Sequence, residues 1–265
     1  MGILNATPDS FSDGGLFDSV EAAVKHADTM IADGADVIDI GGESTRPGSM
    51  RVTARDEVAR VVPIIKAIVT RFDTPISVDT SKPAVAEAAV DAGAEIINDI
   101  SGLRWEPSLA DIAAKNRAGI IVMHSRGDFE TMHSFPPAED IVPEVISSLA
   151  ASIQAAKDRG VNTDQIALDV GIGFGKTVEQ NLELLARLAR ITSEFKEYPM
   201  LVGTSRKSFI GKVLDEADPS KRVGGSIASA LSAIERGARI VRVHDVKEMV
   251  SAIRVWERIN RAGRD

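Results

Sequence analysis

The residues of this chain with chemistry to offer stand at the ends of short apolar runs. Asn5 follows Gly2 to Leu4, Asp39 and Glu43 close the run Val37 to Ile40, and Asp79 follows Ile76 to Val78. Asn98 and Asp99 follow Ile96 and Ile97, His124 follows Ile120 to Met123, and Asp169 follows Ile166 to Leu168. Ser205, Arg206 and Lys207 come after Met200 to Val202, and Arg242 and His244 mark the end of the run from Ile240 to Val243. Taken singly, such a residue is commonly a helix cap or turn former, and Thr80, Ser81 and Asp99 read readily that way. A polar ending on every run exceeds what capping explains. Asp79, Asn98 and Asp169 offer acceptors and an amide to a heterocycle rich in N–H donors, the kind of partner a buried carboxylate needs. Asn5, Thr45, Arg46, Ser205, Arg242 and His244 offer the opposite chemistry. Guanidinium forks, imidazole and hydroxyl groups suit a phosphate or diphosphate, and Asn5 could help hold a hard cation such as magnesium. Lys207 fits either set.

Positioning these groups falls to a repeat of apolar run, polar or glycine-rich loop and amphipathic helical stretch, which recurs eight times along the chain. The spacing predicts helices over roughly Ser19 to Ala32, Thr53 to Thr70, Pro83 to Ala92, Ser108 to Asn116, Ile141 to Arg159, Val178 to Ser193, Gly225 to Arg236 and Val246 to Arg261. Gly34, Gly93, Gly119, Gly160 and Gly237 fall where left-handed helix stops are wanted. Short, continuously apolar strands alternating with helices predict a parallel sheet buried on both faces. An open doubly wound sheet would share that alternation. Eight units in 265 residues, with no dinucleotide fingerprint in the first loop, favour a single (β/α)8 TIM barrel over residues 1–265, with its active site at the C-terminal ends of the strands.

Composition narrows the partners. A hydrophobic fraction of 44% with 26% charged residues is that of a globular protein, and a net charge of −8 argues against nucleic acid as the main partner. Cysteine is absent, which excludes disulfides, thiolate metal sites and a cysteine nucleophile. Met1 to Pro8 has neither the basic nor the apolar part of a signal peptide, and no apolar stretch approaches a membrane span, so a cytoplasmic location and no membrane partner are expected. The segment Gly171-Ile172-Gly173-Phe174-Gly175-Lys176-Thr177 ends like a phosphate-binding loop, but Val170 stands where its first glycine is required. Its glycines suit backbone approach to a ligand or a tight turn. His26, His124, His133 and His244 lack metal-ligand spacing.

Several segments, in order, resemble those of the dihydropteroate synthase family over essentially the whole chain. They are Gly2 through Gly15, Asp39 through Gly48, Ser77 to Thr80, Asn98-Asp99, Asp169 through Lys176, Gly203 to Ser208 and Arg242 to Asp245. The resemblance implies a transferase of folate biosynthesis that condenses 6-hydroxymethyl-7,8-dihydropterin diphosphate with p-aminobenzoate and is the target of sulfonamides. It implies that Asp79, Asn98, Asp169 and Lys207 hold the pterin, with Met123, Phe174 and Gly203 beside it. Asn5 with magnesium, together with Thr45, Arg46, Arg242 and His244, would hold the diphosphate. Phe11, Thr45, Pro47, Lys207 and Ser208 would surround p-aminobenzoate, under loops Ala6 to Gly15 and Glu43 to Gly48. Asp79, Asp169, Lys207 and Arg46 are the expected catalytic groups, acting on a dissociative displacement.

This chain departs from the family pattern in three places. Val170 replaces the usual proline after the sixth strand, Ser125 to Phe129 forms an unusual loop after the fifth, and the chain begins almost at the first strand, so a truncated or unusual start is expected. Two rival readings share the pterin set: a pterin-dependent methyltransferase of the same superfamily and a non-catalytic pterin-binding barrel. The Ser-Thr-Arg-Pro-Gly, Ser-Arg-Lys and Arg-Val-His segments favour the synthase. The family also implies a homodimer; Ile227, Leu231, Ile234, Val250, Ile253 and Trp256 on the last helices could serve it, although core packing would use the same residues.

Overall fold

The computed structural model describes residues 1–6, 16–45, 48–132 and 134–262. Eight parallel strands run in sequence order: β1 (Gly2–Asn5), β2 (Ile38–Gly41), β3 (Ile76–Asp79), β4 (Ile96–Asp99), β5 (Gly119–Met123), β6 (Ile166–Asp169), β7 (Met200–Val202) and β8 (Ile240–Val241). The strand edges then meet. Ile3 N–H donates to the carbonyl of Val243 at 2.9 Å, and Val243 N–H to that of Met1 at 3.0 Å. Ile is the commonest strand residue, which suits an extended backbone packed on both faces, and Ile38, Ile40, Ile76, Val78, Ile97 and Val122 have no exposed surface.

Helices α1 (Leu16–Ala32), α2 (Ala54–Val69), α3 (Pro83–Asp91), α4 (Leu109–Asn116), α5 (Ile141–Asp158), α6 (Val178–Ala186), α7 (Leu188–Glu194), α8 (Ser208–Leu214), α9 (Val223–Glu235) and α10 (Val246–Ala262) fill the connections. Their sequences show how they pack. In α2, Val61, Ile64, Ile65 and Ile68 recur at helical spacing, and all four are buried in the main core. Thr53 caps that helix, its side chain accepting from Asp56 N–H, so Thr53 stands just outside the helix that the spacing includes it in.

Three further boundaries differ from the sequence reading. The helix expected over Val178 to Ser193 is two, divided at Arg187, whose ψ of 14° leaves the helical range while the apolar periodicity carries on across it. The irregular stretch Thr204 to Gly224 contains α8 and a 3₁₀ turn at Pro219–Arg222. The stop after α4 is Arg117 at φ 55°, whereas Gly119 opens β5; Gly34, Gly93, Gly160 and Gly237 do take positive φ.

Parallel registration sets the ends of neighbouring strands side by side. Asn5 lies across from Gly41, Gly41 from Asp79, Asp79 from Asn98, and Met123 from Asp169. Residues a hundred or more positions apart in sequence thus share one rim.

Candidate active site

Asp39 has no exposed surface, so its charge needs partners. Its Oδ2 accepts from Arg242 Nε at 2.6 Å and from Asn98 Nδ2 at 3.0 Å, while Oδ1 is buried without a partner. Arg242 also donates to Asp79 Oδ2 at 2.7 Å. One guanidinium therefore ties the ends of β2 and β3 to the chain just past β8. Burial works against the Arg242 charge, but Asp39 and Asp79 more than offset it and hold its pKa above the ordinary value. Burial drives Asp79 up to about 7, with Asp39 and Glu57 adding to the rise and Arg242 and Lys207 opposing it.

Across the rim stands Asp169, 6% exposed, its Oδ1 accepting from Gly171 N–H at 2.7 Å. Burial raises its pKa too, against the Gly171 hydrogen bond and the charges of Lys207, Lys176 and Arg242. Lys207 completes the charged set. Burial lowers it to about 8 despite Asp169 and Asp79. Its Nζ lies 4.1 Å from the centre of the Phe174 ring, a cation–π contact. Met123 and Phe174 belong to one apolar patch with Ile100, Phe129, Met132 and Trp105. The Gly203 backbone lies beside Arg242, whose Cβ would be 3.7 Å from an added methyl.

The turn that carries Phe174 is fixed by Gly171 and Lys176. At Gly171, φ is 68° and a Cβ would fall 1.8 Å from the His124 carbonyl oxygen, so only glycine fits. Lys176, read from sequence as the false end of a phosphate loop, donates to the carbonyls of His124, Gly171 and Phe174 at 3.2, 2.7 and 3.1 Å. Burial pushes its pKa down to about 7, yet these acceptors match the three protons of the charged form. His124 itself is 2% exposed and held neutral, at about 2, first by burial and then by Lys176, Arg104 and Arg126.

The remaining expected residues fall into place around this rim. His244 N–H donates to Ser205 Oγ at 3.1 Å, and its Nδ1 contacts the same hydroxyl at 3.1 Å. Asn5 ends β1, half-buried; Thr45 is half-buried in the loop after β2, and Ser208 opens α8 exposed to solvent. Arg206 turns away to pair with Asp245. Asp99 is a turn former, accepting from Ser101 N–H, Ser101 Oγ and Leu103 N–H at 2.8, 3.0 and 2.6 Å. Phe11, Arg46 and Pro47, the loop residues 7–15, and His133 lie outside the described residues.

Sequence reasoning left Asp39 without a role, although a carboxylate inside an apolar run was its signal. Glu57 and Lys82 were missed as well. Glu57 reads as an ordinary first-turn acid of α2 and Lys82 as a solvated cation, but the two pair below the rim.

Comparison with known proteins gives the family. The family model for pterin binding enzymes matches residues 1–244. A dihydropteroate synthase of Synechocystis is 49% identical over 255 residues, 96% of this chain and 88% of that protein. Among solved structures, the Xanthomonas albilineans dihydropteroate synthase with 4-aminobenzoic acid superposes with a TM-score of 0.92 at 45% identity, covering 98% of this chain and 92% of the other. The enzyme from the same organism in complex with 7,8-dihydropteroate gives 0.88 at 42% identity, with 98% and 92% covered. The chain belongs to the pterin binding enzymes and, within them, to the dihydropteroate synthase family.

Replacing Lys176 with Met takes the shared donor from three half-buried carbonyls and should cost about 1–3 kcal/mol of stability. Urea denaturation measures it; an unchanged midpoint would show that the lysine does not secure the turn.

Proposed function

We propose that this chain joins 6-hydroxymethyl-7,8-dihydropterin diphosphate to p-aminobenzoate, releasing 7,8-dihydropteroate and diphosphate, as a cytoplasmic enzyme of folate biosynthesis and a sulfonamide target. The observation that carries the reading is the gathering of Asp79, Asp169, Lys207 and Arg242 on one rim beside the apolar Met123 and Phe174. The reading takes the fold as one closed (β/α)8 barrel with its site at the C-terminal strand ends, a reading supported by the bonds joining Ile3, Val243 and Met1.

Asp79, Asn98, Asp169 and Lys207 hold the pterin, with Met123, Phe174 and Gly203 along it. Thr45, Arg46, Arg242, His244 and Asn5 hold the diphosphate; Phe11, Thr45, Pro47, Lys207 and Ser208 surround p-aminobenzoate. The C–O bond to diphosphate breaks first, the electron pair leaving on oxygen and the pterin sharing the positive charge left on the methylene carbon. The aniline nitrogen then forms the C–N bond and gives up a proton. Fixed charges carry the rate: the carboxylates of Asp79 and Asp169 favour the cation, and the arginines favour the departing anion.

Magnesium fits the donors available. Asn5 offers a hard amide oxygen that would help hold the ion beside the diphosphate. When bound, it neutralises charge on the leaving group.

The second-partner reading is a homodimer through α9 and α10. Ile227, Val250 and Ile253 pack against the main core, whereas Leu231 and Trp256 line a surface groove with Ser251, Ala252, Val255 and Ile259. Val255 and Ile259 are 62% and 67% exposed, which supports a covering partner. Sedimentation at twice the chain mass is expected, and a monomer at micromolar concentration would remove the dimer.

Incubation with the pterin diphosphate and p-aminobenzoate should yield magnesium-dependent dihydropteroate by chromatography. Tight pterin binding without product would instead favour the methyltransferase or binding-protein reading. Asp169→Asn should lower kcat about 10²–10³-fold, the usual cost of losing one electrostatic partner of a transition state; a wild-type rate would end its assigned role.

The charge requirements also set a pH profile. Asp79 ionises as pH rises through about 7, and Lys207 loses its proton through about 8, so kcat/KM for the pterin substrate should peak between them. Lys207→Arg should move the alkaline limb upward; a limb that stays put would assign it to another group.

A further inference from the structure

The loop after β2 is mounted on a buried knot of charge. Glu43 stands at its start with 8% of its side chain exposed, and its Oε1 accepts from the N–H of Val52 at 2.6 Å, so one carboxylate closes the base of the loop. The same oxygen lies 2.8 Å from Lys82 Nζ, and Lys82 also pairs with Glu57 Oε2 at 2.5 Å. Side-chain exposures of 12% for Lys82 and 1% for Glu57 keep water from competing. Inside the loop, Ser49 Oγ donates to Ser44 Oγ at 2.8 Å, and Arg60 holds the carbonyl of Gly42 at 2.8 Å. At the far end, Arg51 lies over the rings of Trp105 and Phe129 at 5.9 and 5.4 Å. Met50 between these ties is 87% exposed. The base of the loop is therefore fixed, while Met50 stands out in solvent.

Lys82 is three positions past Asp79, at the N-cap of α3, and its side chain makes no capping bond there. The shared ammonium instead joins the strand that ends in Asp79 to the loop that carries Thr45. We propose that Lys82 is a positioning residue which, through Glu43, sets the loop after β2 in register with the pterin pocket and so governs p-aminobenzoate capture. Glu57 holds the lysine in place. With one cation between two carboxylates, neither acid can be lost without turning the lysine toward the other, and the lysine cannot be lost without releasing the loop base. The inference rests on the synthase reading above.

Two measurements test it. In Glu43→Gln the amide oxygen can still accept from Val52 while the ion pair is gone; KM for p-aminobenzoate should rise about tenfold, the equivalent of one charge-assisted hydrogen bond, with KM for the pterin diphosphate unmoved. Lys82→Met combined with Glu43→Gln and Glu57→Gln removes the three buried charges together so that none is stranded, and should give the same split, while Lys82→Arg alone should keep part of the wild-type behaviour. Amide hydrogen exchange read on each folded variant should quicken in the segment from Glu43 to Val52 and not in β3 or β4. Equal rises in both Michaelis constants, no rise in either, or unaltered exchange in that segment would overturn the proposal. An inactive wild type would remove the proposed reaction and the capture role with it, and the exchange data alone would then decide whether Lys82 anchors the loop.

Discussion

A carboxylate sealed from water is tolerable only beside a cation that cannot leave, and Asp39 with Arg242 is that arrangement. Much of the rim follows from it. Because Arg242 also grips Asp79, and Asn98 donates to Asp39, four strand ends are cross-braced by side chains as well as by the backbone ladder. The bracing has an electrostatic price. It crowds carboxylates together, which is part of why Asp79 ionises so late.

Much of this was open to reading from residue types alone. Short β-branched runs between amphipathic stretches have few alternatives to a parallel α/β sheet, and Asp79, Asn98, Asp169 and Lys207 announced themselves by ending those runs. What escaped had local patterns that pointed elsewhere. Leu184, Leu185, Leu188 and Ile191 keep helical spacing across Arg187, so no break shows between α6 and α7. Ser208 to Leu214 follows a loop-like stretch and is only seven residues long, too short for periodicity to declare a helix. Glu57, Lys82 and Lys176 look like ordinary surface charges until the topology buries them, because burial of a charge depends on long-range partners that no window of sequence contains.

Two of the places that the resemblance marks as departures from the family pattern are well packed. Val170, where proline is usual, is fully buried in the main core, so its side chain contributes contacts in place of ring rigidity. The unusual loop after β5 sends Phe129 under the site, edge-on to Trp105 at 6.4 Å between centroids, and Arg126 to Glu144 at 2.6 Å. Its distinctive residues thus support the apolar wall that includes Met123 and Phe174.

The placement of the tryptophans gives the molecule a built-in optical readout. There are two: Trp105 shares its apolar patch with Met123 and Phe174 and lies under the Arg51 guanidinium, whereas Trp256 lines the groove between α9 and α10 and donates to Glu235 at 3.3 Å. Both indoles are half-buried, but the N–H of Trp105 is buried without a partner under a guanidinium, whereas that of Trp256 donates to a carboxylate. Because their polar surroundings differ, their emission bands should differ in colour, so the unlabelled chain can signal events at the rim and events at its outer helices through separate channels.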